Sequence, residues 1–434
     1  MAGLMSQKAS FSVISLGCAR TLVDTEKMVD QLTHAGFQLT AEGSGEKVTL
    51  LNTCSFIQAA IDETEDNIRM LIGRKLDGQI KYLVVAGCYV SRFKEKDLVA
   101  KFPEVDLWLS TKNEHEIQEK LSHLVFEKKY QPIEKKGYIK LTPSHFAYLK
   151  ISEGCNNWCT FCTIPKIRGE HTSKPIPEIV KESSLQMSFG AKELIVIAED
   201  TTAWGEDLYG KPSLPLLLKE LCRLPVDWIR NMYIYPSRVD DELIEVIKNE
   251  PKICNYMDMP VQHVSDFLLD RMRRRHDKAF LTGVMDKLFE RIPDFTWRTT
   301  FILGFPGETE DHVDELIDFI EKYPVTQLGC FPYSEERETR SARMDGKVAP
   351  DIIQNRIKRV MKRQYELVQA RHIGMLGKKL TVLYEGNGLA RSYREAPDVD
   401  GRIIVKGAEG LSSGSFVDVT LTGTKGYDLL AELA

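Results

Sequence analysis

The sequence lacks the features that mark membrane-spanning and secreted proteins. It has no run of eighteen apolar residues, which is about the length that a transmembrane helix needs. Its first residues, MAGLMSQKAS, do not show the charged-then-apolar pattern of a secretory signal. The formal net charge of -5 gives no global field that would attract nucleic acid, although a local basic patch is compatible with it. We therefore expect a cytoplasmic protein without membrane contact.

A disulfide framework is not expected either. The nine cysteines are an odd number in a chain of 434 residues, which indicates reduced thiols, some of them metal ligands. With 43% hydrophobic residues, the chain can bury a large core. By its length it should divide into about three domains.

The first predicted domain covers residues 11–126. It contains the apolar runs FSVISL, VTLLN and KYLVVAG, separated by helical patterns. Continuous β-rich runs of this kind are typical of buried parallel strands, so we predict a doubly wound α/β domain. Residues 127–140 are rich in lysine and have no apolar period, which predicts a linker.

Two further domains are predicted after the linker. Residues 141–371 contain six apolar runs with helical segments between them, which predicts a complete or open (β/α) barrel. The runs are AYLKI, ELIVIA, IRNMYIY, YMDMPV, RTTFILG and TQLGCF. An amphipathic segment over 350–372 leads into residues 373–434, whose Gly-rich, strand-like pattern predicts a small antiparallel β-barrel.

A cysteine trio follows the first barrel strand, with no fourth cysteine nearby: Cys155, Cys159 and Cys162. Barrel folds assemble their active sites in loops at the carboxyl ends of the strands. A structural zinc normally has four protein ligands, whereas a 4Fe-4S cluster held by three thiolates leaves one iron open for chemistry. We favour the cluster; the alternative is a zinc site that borrows a distant histidine such as His171.

A second trio comprises Cys18, Cys54 and Cys88, which directly follow the three apolar runs of the first domain. The carboxyl ends of parallel strands lie at one edge of a sheet, so these residues can converge and hold another three-thiolate cluster. The alternative is that each is a small hydrophobic residue beside a strand, which is our interpretation of Cys222, Cys254 and Cys330.

The motif CxxxCxxC after the first barrel strand, with Phe161 before the last cysteine, resembles the radical S-adenosylmethionine superfamily. In that superfamily the open iron binds S-adenosylmethionine, and an electron from the cluster cleaves it to a 5'-deoxyadenosyl radical. The resemblance implies that Phe161 lies near the adenine; core packing is the equal alternative.

Both trios, in this order of domains, resemble the methylthiotransferases over nearly the whole chain. These enzymes replace a C–H bond by C–SCH3. The resemblance implies two 4Fe-4S clusters, an auxiliary one on Cys18, Cys54 and Cys88 and a radical-generating one on the barrel trio. S-adenosylmethionine then serves both as methyl donor and as radical source, and an electron donor is a required partner.

Other segments resemble this family more weakly. IAEDTTAWGEDLYG places Glu199, Asp200 and Thr201 at a strand end, where they would bind S-adenosylmethionine or substrate; turn and helix-cap roles are the alternative. In RTTFILGFPGETE, Gly304 and Gly307 let the backbone approach a ligand or start a helix. A basic run predicts an acidic or phosphate-bearing partner or, more often, a solvated helix face. It comprises Arg271, Arg273, Arg274 and Arg275.

Three stretches point to one subfamily. CARTLVDTE, AYLKISEGCNNWCTFCTIP and RSYREAPDVDG resemble the RimO family, which modifies the β-carbon of an aspartate in the ribosomal small-subunit protein numbered twelve. The alternative is methylthiolation of an adenosine in transfer RNA. Residues 373–434 hold seven Lys plus Arg against eight Asp plus Glu, which favours a protein partner. We expect this domain to contact the ribosomal protein or the assembled small subunit, with RNA contact left open.

The chain departs from the family pattern at three positions. Thr21 stands where the family usually has asparagine, Thr25 where it has serine, and Glu338 where it has glycine. We therefore expect no side-chain amide from residue 21 beside the auxiliary cluster, and no left-handed backbone at residue 338. A hypothesis of another class is a non-catalytic iron–sulfur carrier or sensor. Carriers tend to be small and do not call for cysteine triplets or a barrel.

Overall fold

The computed structural model describes residues 9–126 and 139–434, which form two units. The first unit comprises the described residues up to Leu141 together with Cys162–Glu170, and the second comprises Thr142–Phe161 and His171–Ala434. The linker predicted at 127–140 lies outside the described residues except for Ile139 and Lys140. Among the described residues, no helix combines the length and apolar character needed to cross a membrane.

The first unit is built on a five-stranded parallel sheet of order β2-β1-β3-β4-β5, which confirms the predicted doubly wound α/β domain. A short 3-10 turn covers Glu114–Glu116. The other elements are β1 Ser10–Ser15, α1 Ala19–His34, β2 Gln38–Leu39, β3 Val48–Thr53, α2 Gln58–Leu76, β4 Tyr82–Gly87, α3 Cys88–Arg92, α4 Glu95–Lys101, β5 Leu107–Ser110 and α5 Ile117–Phe126.

Both faces of this sheet are covered, because successive strand residues point to opposite sides. Leu50 and Val84 belong to one apolar cluster, which also contains residues of α1 and α5. Leu51 and Val85 belong to a second cluster with residues of α2 and α4. Strands buried on both sides need continuous apolar runs, which is the pattern that the sequence shows.

The second unit contains a six-stranded parallel sheet of order β13-β12-β11-β10-β9-β6, each strand overlapping one of the six predicted runs. Its end strands are unpaired with each other, so the open form of the barrel is the one observed. Short 3-10 turns lie at Thr201–Ala203, Pro236–Arg238 and Ser341–Arg343. The elements are β6 Phe146–Lys150, β7 Ser152–Glu153, α6 Ile164–Ile167 (in the first unit), β8 Thr172–Ser173, α7 Ile176–Ser188, β9 Glu193–Ile197, α8 Glu206–Tyr209, α9 Leu214–Cys222, β10 Trp228–Asn231, α10 Asp241–Asn249, β11 Ile253–Asp258, α11 Asp266–Met272, α12 Lys278–Arg291, β12 Thr296–Leu303, α13 Glu310–Lys322, β13 Val325–Pro332 and α14 Pro350–Ile373.

The C-terminal part of the second unit is a closed five-stranded barrel. Its strands are β14 Lys379–Gly386, β15 Leu389–Arg391, β16 Ile403–Lys406, β17 Phe416–Lys425 and β18 Asp428–Leu433. This confirms the predicted small β-barrel: four of its five strand pairings are antiparallel, as predicted, whereas β16 and β18 pair in parallel. The reason is that residues 407–415 cross over so that β17 pairs with β14, and the following hairpin returns β18 beside β16.

The connection between β15 and β16 fastens this barrel to the six-stranded sheet. Arg391 makes ion pairs with Glu193 of β9 at 2.8 Å and with Glu385 at 2.7 Å. Arg230 of β10 reaches the same Glu193 at 2.6 Å and donates to the Tyr393 carbonyl. Burial alone would raise the pKa of Glu193, but the two guanidiniums hold it below its usual value. The segment RSYREAPDVDG therefore carries a structural role.

A second set of buried contacts involves Asp400 at the end of the same connection. Arg298 of β12 bridges Asp400 at 3.1 Å and Asp258 at 2.8 Å, and the Tyr256 hydroxyl donates to Asp400 at 2.8 Å. Burial raises the pKa of Asp400 to about 6, against the opposing charge of Arg298. These contacts close one end of the sheet's inner face.

Glu193→Gln tests this attachment. Because the substitution leaves two buried guanidiniums without their shared carboxylate, we expect the free energy of unfolding to fall by about 3–5 kcal/mol. Urea unfolding followed by circular dichroism measures the effect. Asp227→Asn is the matched control, since it removes the exposed Lys192–Asp227 pair and should cost less than about 1 kcal/mol. Equal losses in both variants would contradict the account.

Candidate active site

The first cysteine trio lies at the carboxyl edge of the first unit's sheet. Cys18 follows β1 and precedes α1 as its N-cap, Cys54 directly follows β3, and Cys88 begins α3 directly after β4. These three strands are adjacent and parallel. The strand order reverses between β1 and β3, and ligands of open α/β sheets bind outside the carboxyl ends at such a point. The expected convergence of the trio at one edge is therefore observed.

Glycines directly before two of these cysteines permit the close approach. Gly17 has φ +99°, and a Cβ there would lie 3.0 Å from the Cβ and 3.3 Å from the Sγ of Cys54. Gly87 has φ +98°, and its Cβ would come within 2.2 Å of the Asn52 side-chain oxygen. Both positions therefore require glycine for conformational and steric reasons.

Buried positive charge accompanies the trio. Arg168 donates from Nη2 to the Cys88 Sγ at 3.3 Å and from Nη1 to Asp24 at 3.0 Å, and all three residues are buried. Burial raises the pKa of Cys88 to about 12, although Arg168 opposes the shift. At Cys18 burial also acts to raise the pKa, but Arg20 and Arg168 bring it down to about 6.

Thr21 and Thr25, where the chain departs from the family pattern, both accept hydrogen bonds from one asparagine side chain. The side-chain amide of Asn52 donates to the Thr21 carbonyl at 3.1 Å and to the Thr25 hydroxyl at 2.9 Å. The Thr21 hydroxyl lies 3.8 Å from the Cys18 Sγ. A hydroxyl at position 21 thus replaces an amide beside the trio, as expected. Glu338 has no positive φ, which confirms the expectation for its loop.

The second trio lies in the loop that follows β6 and β7. Cys155 and Cys159 belong to the second unit, whereas Cys162 begins the segment that belongs to the first unit. Gly154 and Trp158 in this loop adopt left-handed backbone conformations, with φ +74° and +52°. Burial raises the pKa of the Cys155 thiol to about 12, and the charges of Asp200, Cys159 and Glu199 add to the rise.

Arg274 contacts Cys159 of this trio. It donates from Nη1 to the Cys159 Sγ at 3.4 Å and from Nη2 to the Pro260 carbonyl at 2.7 Å. Its guanidinium lies 4.2 Å from the ring centroid of Tyr235. The run RMRRRH predicts a solvated helix face, and this prediction is wrong for Arg274, which is 4% exposed. The helix ends at Met272, so the arginines that follow do not share its surface.

Asp200, which lies after the end of β9, is hydrogen-bonded to the cysteine loop. Its Oδ2 accepts from the Asn157 amide at 2.6 Å and from Arg238 at 2.8 Å, and its Oδ1 accepts from the Ala203 N–H as a cap. Thr201 donates to the Met232 carbonyl at 2.8 Å. These contacts support turn and cap roles for Asp200 and Thr201. The charge of Glu199 acts on Cys155, and its contact with S-adenosylmethionine or substrate stays a prediction.

Phe161, Gly304 and Gly307 were predicted to contact the cofactor. In the structure each also packs closely against another side chain of the protein. Phe161 meets Phe305 edge-on with ring centroids 6.5 Å apart. Gly304 has φ +81°, and a Cβ there would lie 2.3 Å from the Ile353 side chain. A Cβ on Gly307 would lie 3.0 Å from a ring carbon of Phe267. The close approaches at both glycines are thus to other side chains of the protein.

The donor set is better suited to a cluster than to a single ion. Within residues 9–126 and 139–434, no three His, Cys, Asp or Glu side chains lie close enough together to hold one metal ion. His171, the histidine of the zinc alternative, instead makes a 3.0 Å hydrogen bond with Ser173. Ligands of a cube bind different irons and need not converge on one point. The arginine beside each trio offsets thiolate charge, so these residues fit a 4Fe-4S group.

Two charged residues near these sites, Lys150 and Arg168, were missed from sequence, and Arg274 was named only as part of the basic run. Lys150 ends a strand that was correctly predicted to be buried, and a charge in such a strand requires a partner. A lysine within a predicted buried strand was therefore the sequence signal that could have identified Lys150. Arg168 lies far in sequence from Cys88, and Arg274 lies far from Cys159, so no local sequence pattern predicts these contacts.

Arg168→Met tests the charge arrangement at the first trio. Since Arg168 helps to hold the pKa of Cys18 at about 6, the substitution should move the pH midpoint of Cys18 alkylation upward in the metal-free protein. Peptide mass mapping after iodoacetamide treatment at a series of pH values measures it. Arg69→Met, which alters an exposed arginine in the same unit, should leave the midpoint in place. An unmoved midpoint in Arg168→Met would refute the assignment.

Three families match successive parts of the chain. Residues 10–110 match the family described as uncharacterized protein family UPF0004, residues 149–320 match the radical SAM superfamily, and residues 376–434 match the TRAM domain. Among solved structures, the chain is similar to the radical S-adenosylmethionine methyltransferase TsrM from Kitasatospora setae. The TM-score is 0.58 at 12% identity, over 84% of this chain and 90% of that one. This likeness concerns the fold alone.

Curated relatives match over nearly the full length. The ribosomal protein uS12 methylthiotransferase RimO of Lachnoclostridium phytofermentans is 40% identical, over 96% of this chain and 98% of its own. The protein of the same name from Citrifermentans bemidjiense is 38% identical, over 98% of both chains. The radical SAM and UPF0004 domains imply S-adenosylmethionine and 4Fe-4S clusters. The chain belongs to the RimO family of ribosomal protein uS12 methylthiotransferases.

Proposed function

We propose that this protein adds a methylthio group to the β-carbon of an aspartate in ribosomal protein uS12. The observation that carries the proposal is a cysteine trio at the carboxyl edge of the first sheet, in a chain whose second sheet presents another. Cys18, Cys54 and Cys88 would hold an auxiliary 4Fe-4S cluster. The other trio, Cys155, Cys159 and Cys162, would hold the radical-generating one.

The cofactors divide the chemistry between them. When bound, the clusters and S-adenosylmethionine supply the sulfur, the methyl group and the radical, and an external donor supplies electrons. The protein's own residues would bind the clusters and position the loop that carries two of the cluster cysteines. Arg168 and Arg274 each direct a guanidinium N–H at one cluster cysteine, which offsets thiolate charge in a buried setting. Asn157 and Asp200 hold the loop that carries Cys155 and Cys159 against the end of β9.

We further propose that residues 11–126, 141–371 and 373–434 act as the auxiliary-cluster, radical and docking modules. Three of the eight acidic residues after position 372 have carboxylates that are largely shielded from solvent: Glu385, Glu395 and Asp400. Among the basic residues of this region, Arg391 is buried in the same network. The charge left for the surface is therefore more basic than the sequence count of -1. This favours docking on the assembled small subunit, RNA included, in the cytoplasm.

Substitution of the first trio should separate the release of 5'-deoxyadenosine from the addition of the methylthio group. With both clusters rebuilt under anaerobic, reducing conditions, the wild-type protein should release 5'-deoxyadenosine and add one methylthio mass to uS12. The variant with Cys18, Cys54 and Cys88 all changed to alanine should still release 5'-deoxyadenosine but leave uS12 unmodified. Liquid chromatography and intact-protein mass spectrometry measure the two products.

Two comparisons make this experiment decisive. Cys222→Ala, which changes a cysteine of α9, should behave as wild type. Transfer RNA offered in place of uS12 should remain unmodified. A methylthio group on transfer RNA rather than uS12 would overturn the substrate assignment, and no release of 5'-deoxyadenosine with intact clusters would favour the carrier hypothesis.

A further inference from the structure

An exposed surface beside the cysteine loop combines one large aromatic ring with two positive charges. Trp158 directly precedes Cys159 and is 46% exposed. Arg273 and Arg275 follow the last residue of α11 and are exposed as well. Arg274, which lies between them, is instead buried and donates to Cys159. Cluster binding therefore gives a role to Arg274 and none to the three exposed side chains.

The cysteine loop and the basic run lie side by side. The Thr160 N–H donates to the Met272 carbonyl at 3.1 Å. At the other end of the contact, Arg275 donates from Nη2 to the Asn156 carbonyl at 3.3 Å. The two segments thus pass each other in opposite directions, and Trp158 lies midway between the two hydrogen-bonded positions of its loop. Its indole and the two exposed guanidiniums therefore belong to one surface.

The two exposed arginines of this surface are not neutralised by carboxylates. Neither Arg273 nor Arg275 forms an ion pair with any residue that the structure describes. Arg363 of α14, in the same unit, shows the usual arrangement and pairs with Glu321 and Glu366. A helix attracts cations to its carboxyl end, but this attraction fades beyond the last turn and does not account for Arg275. Both charges are therefore available to an anionic partner.

The backbone at all three positions has a positive φ, which glycine adopts most readily. The value is +52° at Trp158, +60° at Arg273 and +57° at Arg275. Arg273 ends α11 in the left-handed conformation that glycine commonly supplies. Large side chains are uncommon in this region of backbone space, and where they occur they cluster at functional sites. The chain thus keeps an indole and two guanidiniums at positions where the backbone itself favours none.

We propose that Trp158, Arg273 and Arg275 bind an unpaired segment of small-subunit ribosomal RNA next to uS12. This inference rests on the proposed function and names a partner for the surface around the cysteine loop. Single-stranded RNA offers both a phosphate and a base with a free ring face at each nucleotide. Guanidiniums bind phosphates through paired N–H groups, and an indole stacks on unpaired bases. An acidic peptide would engage the arginines but would give the indole no comparable partner.

The test measures how tightly the cluster-loaded full chain binds small ribosomal subunits isolated from cells that lack it. Sedimentation at a series of KCl concentrations gives Kd and its salt dependence. The first variant carries Arg273→Asn together with Arg275→Asn, because asparagine tolerates a positive φ. We expect its binding to be roughly ten- to thirtyfold weaker at about 0.1 M KCl. The slope of log Kd against log salt should fall by roughly 1.4, since two phosphate contacts are lost.

Trp158→Ala separates stacking from charge. It should weaken binding roughly five- to hundredfold, the effect of losing one stacked base, and leave the salt slope at its wild-type value. The matched control carries Arg359→Gln together with Arg363→Gln, which removes two carboxylate-paired arginines of α14. Its Kd should stay within about twofold of wild type.

The same titrations with separated parts of the subunit identify the partner. Protein-free small-subunit RNA should reproduce both losses, whereas free uS12 should bind wild type and variants alike. Equal losses on free uS12, or subunit binding that neither variant weakens, would overturn the proposal. Lost iron or altered circular dichroism in both variants would also overturn it, because these residues would then support the cysteine loop. If wild type leaves uS12 in the subunit unmodified, the proposed function fails instead, whatever the binding results.

Discussion

Parallel strand geometry is the constraint on which the rest of the structure depends. Parallel strands end at one edge, so residues far apart in sequence meet there without any local motif. The first unit uses this for Cys18, Cys54 and Cys88, and the second places its cysteine loop and Lys150 at the carboxyl end of β6. The positions of these cysteines thus follow from where the strands end. Glycines with positive φ before Cys18 and Cys88 let the backbone turn at that edge.

Buried charged side chains are a second feature that both units share. Each trio has a guanidinium within hydrogen-bonding distance of one of its thiols, from Arg168 in the first unit and Arg274 in the second. In the second unit, ion pairs centred on Glu193 and Asp400 attach the C-terminal barrel and close one end of the inner face. A buried ion pair is weak evidence for stability, but loss of one partner is costly, so these pairs fix one arrangement.

The fold class, the six strands of the second sheet and both cysteine trios were predictable, because apolar runs and cysteine spacing are local signals. The pairing of β16 with β18 was not, since it depends on a crossover that the strand pattern does not record. The arginines at the thiols were missed for a related reason: Arg274 lies more than a hundred residues from Cys159, and a charge run predicts solvent exposure by default. The packing of Gly304 against Ile353 likewise has no sequence signal.

We propose that each trio holds its own 4Fe-4S cluster through three cysteines. Iron and sulfide analysis of anaerobically rebuilt protein tests it most directly, by comparing wild type with two variants in which one trio or the other is changed to alanine. We expect each variant to keep half of the wild-type iron. We also expect S-adenosylmethionine to alter the electron paramagnetic resonance spectrum only when Cys155, Cys159 and Cys162 are intact. Full iron content in either variant, or a single cluster in the wild type, would contradict it.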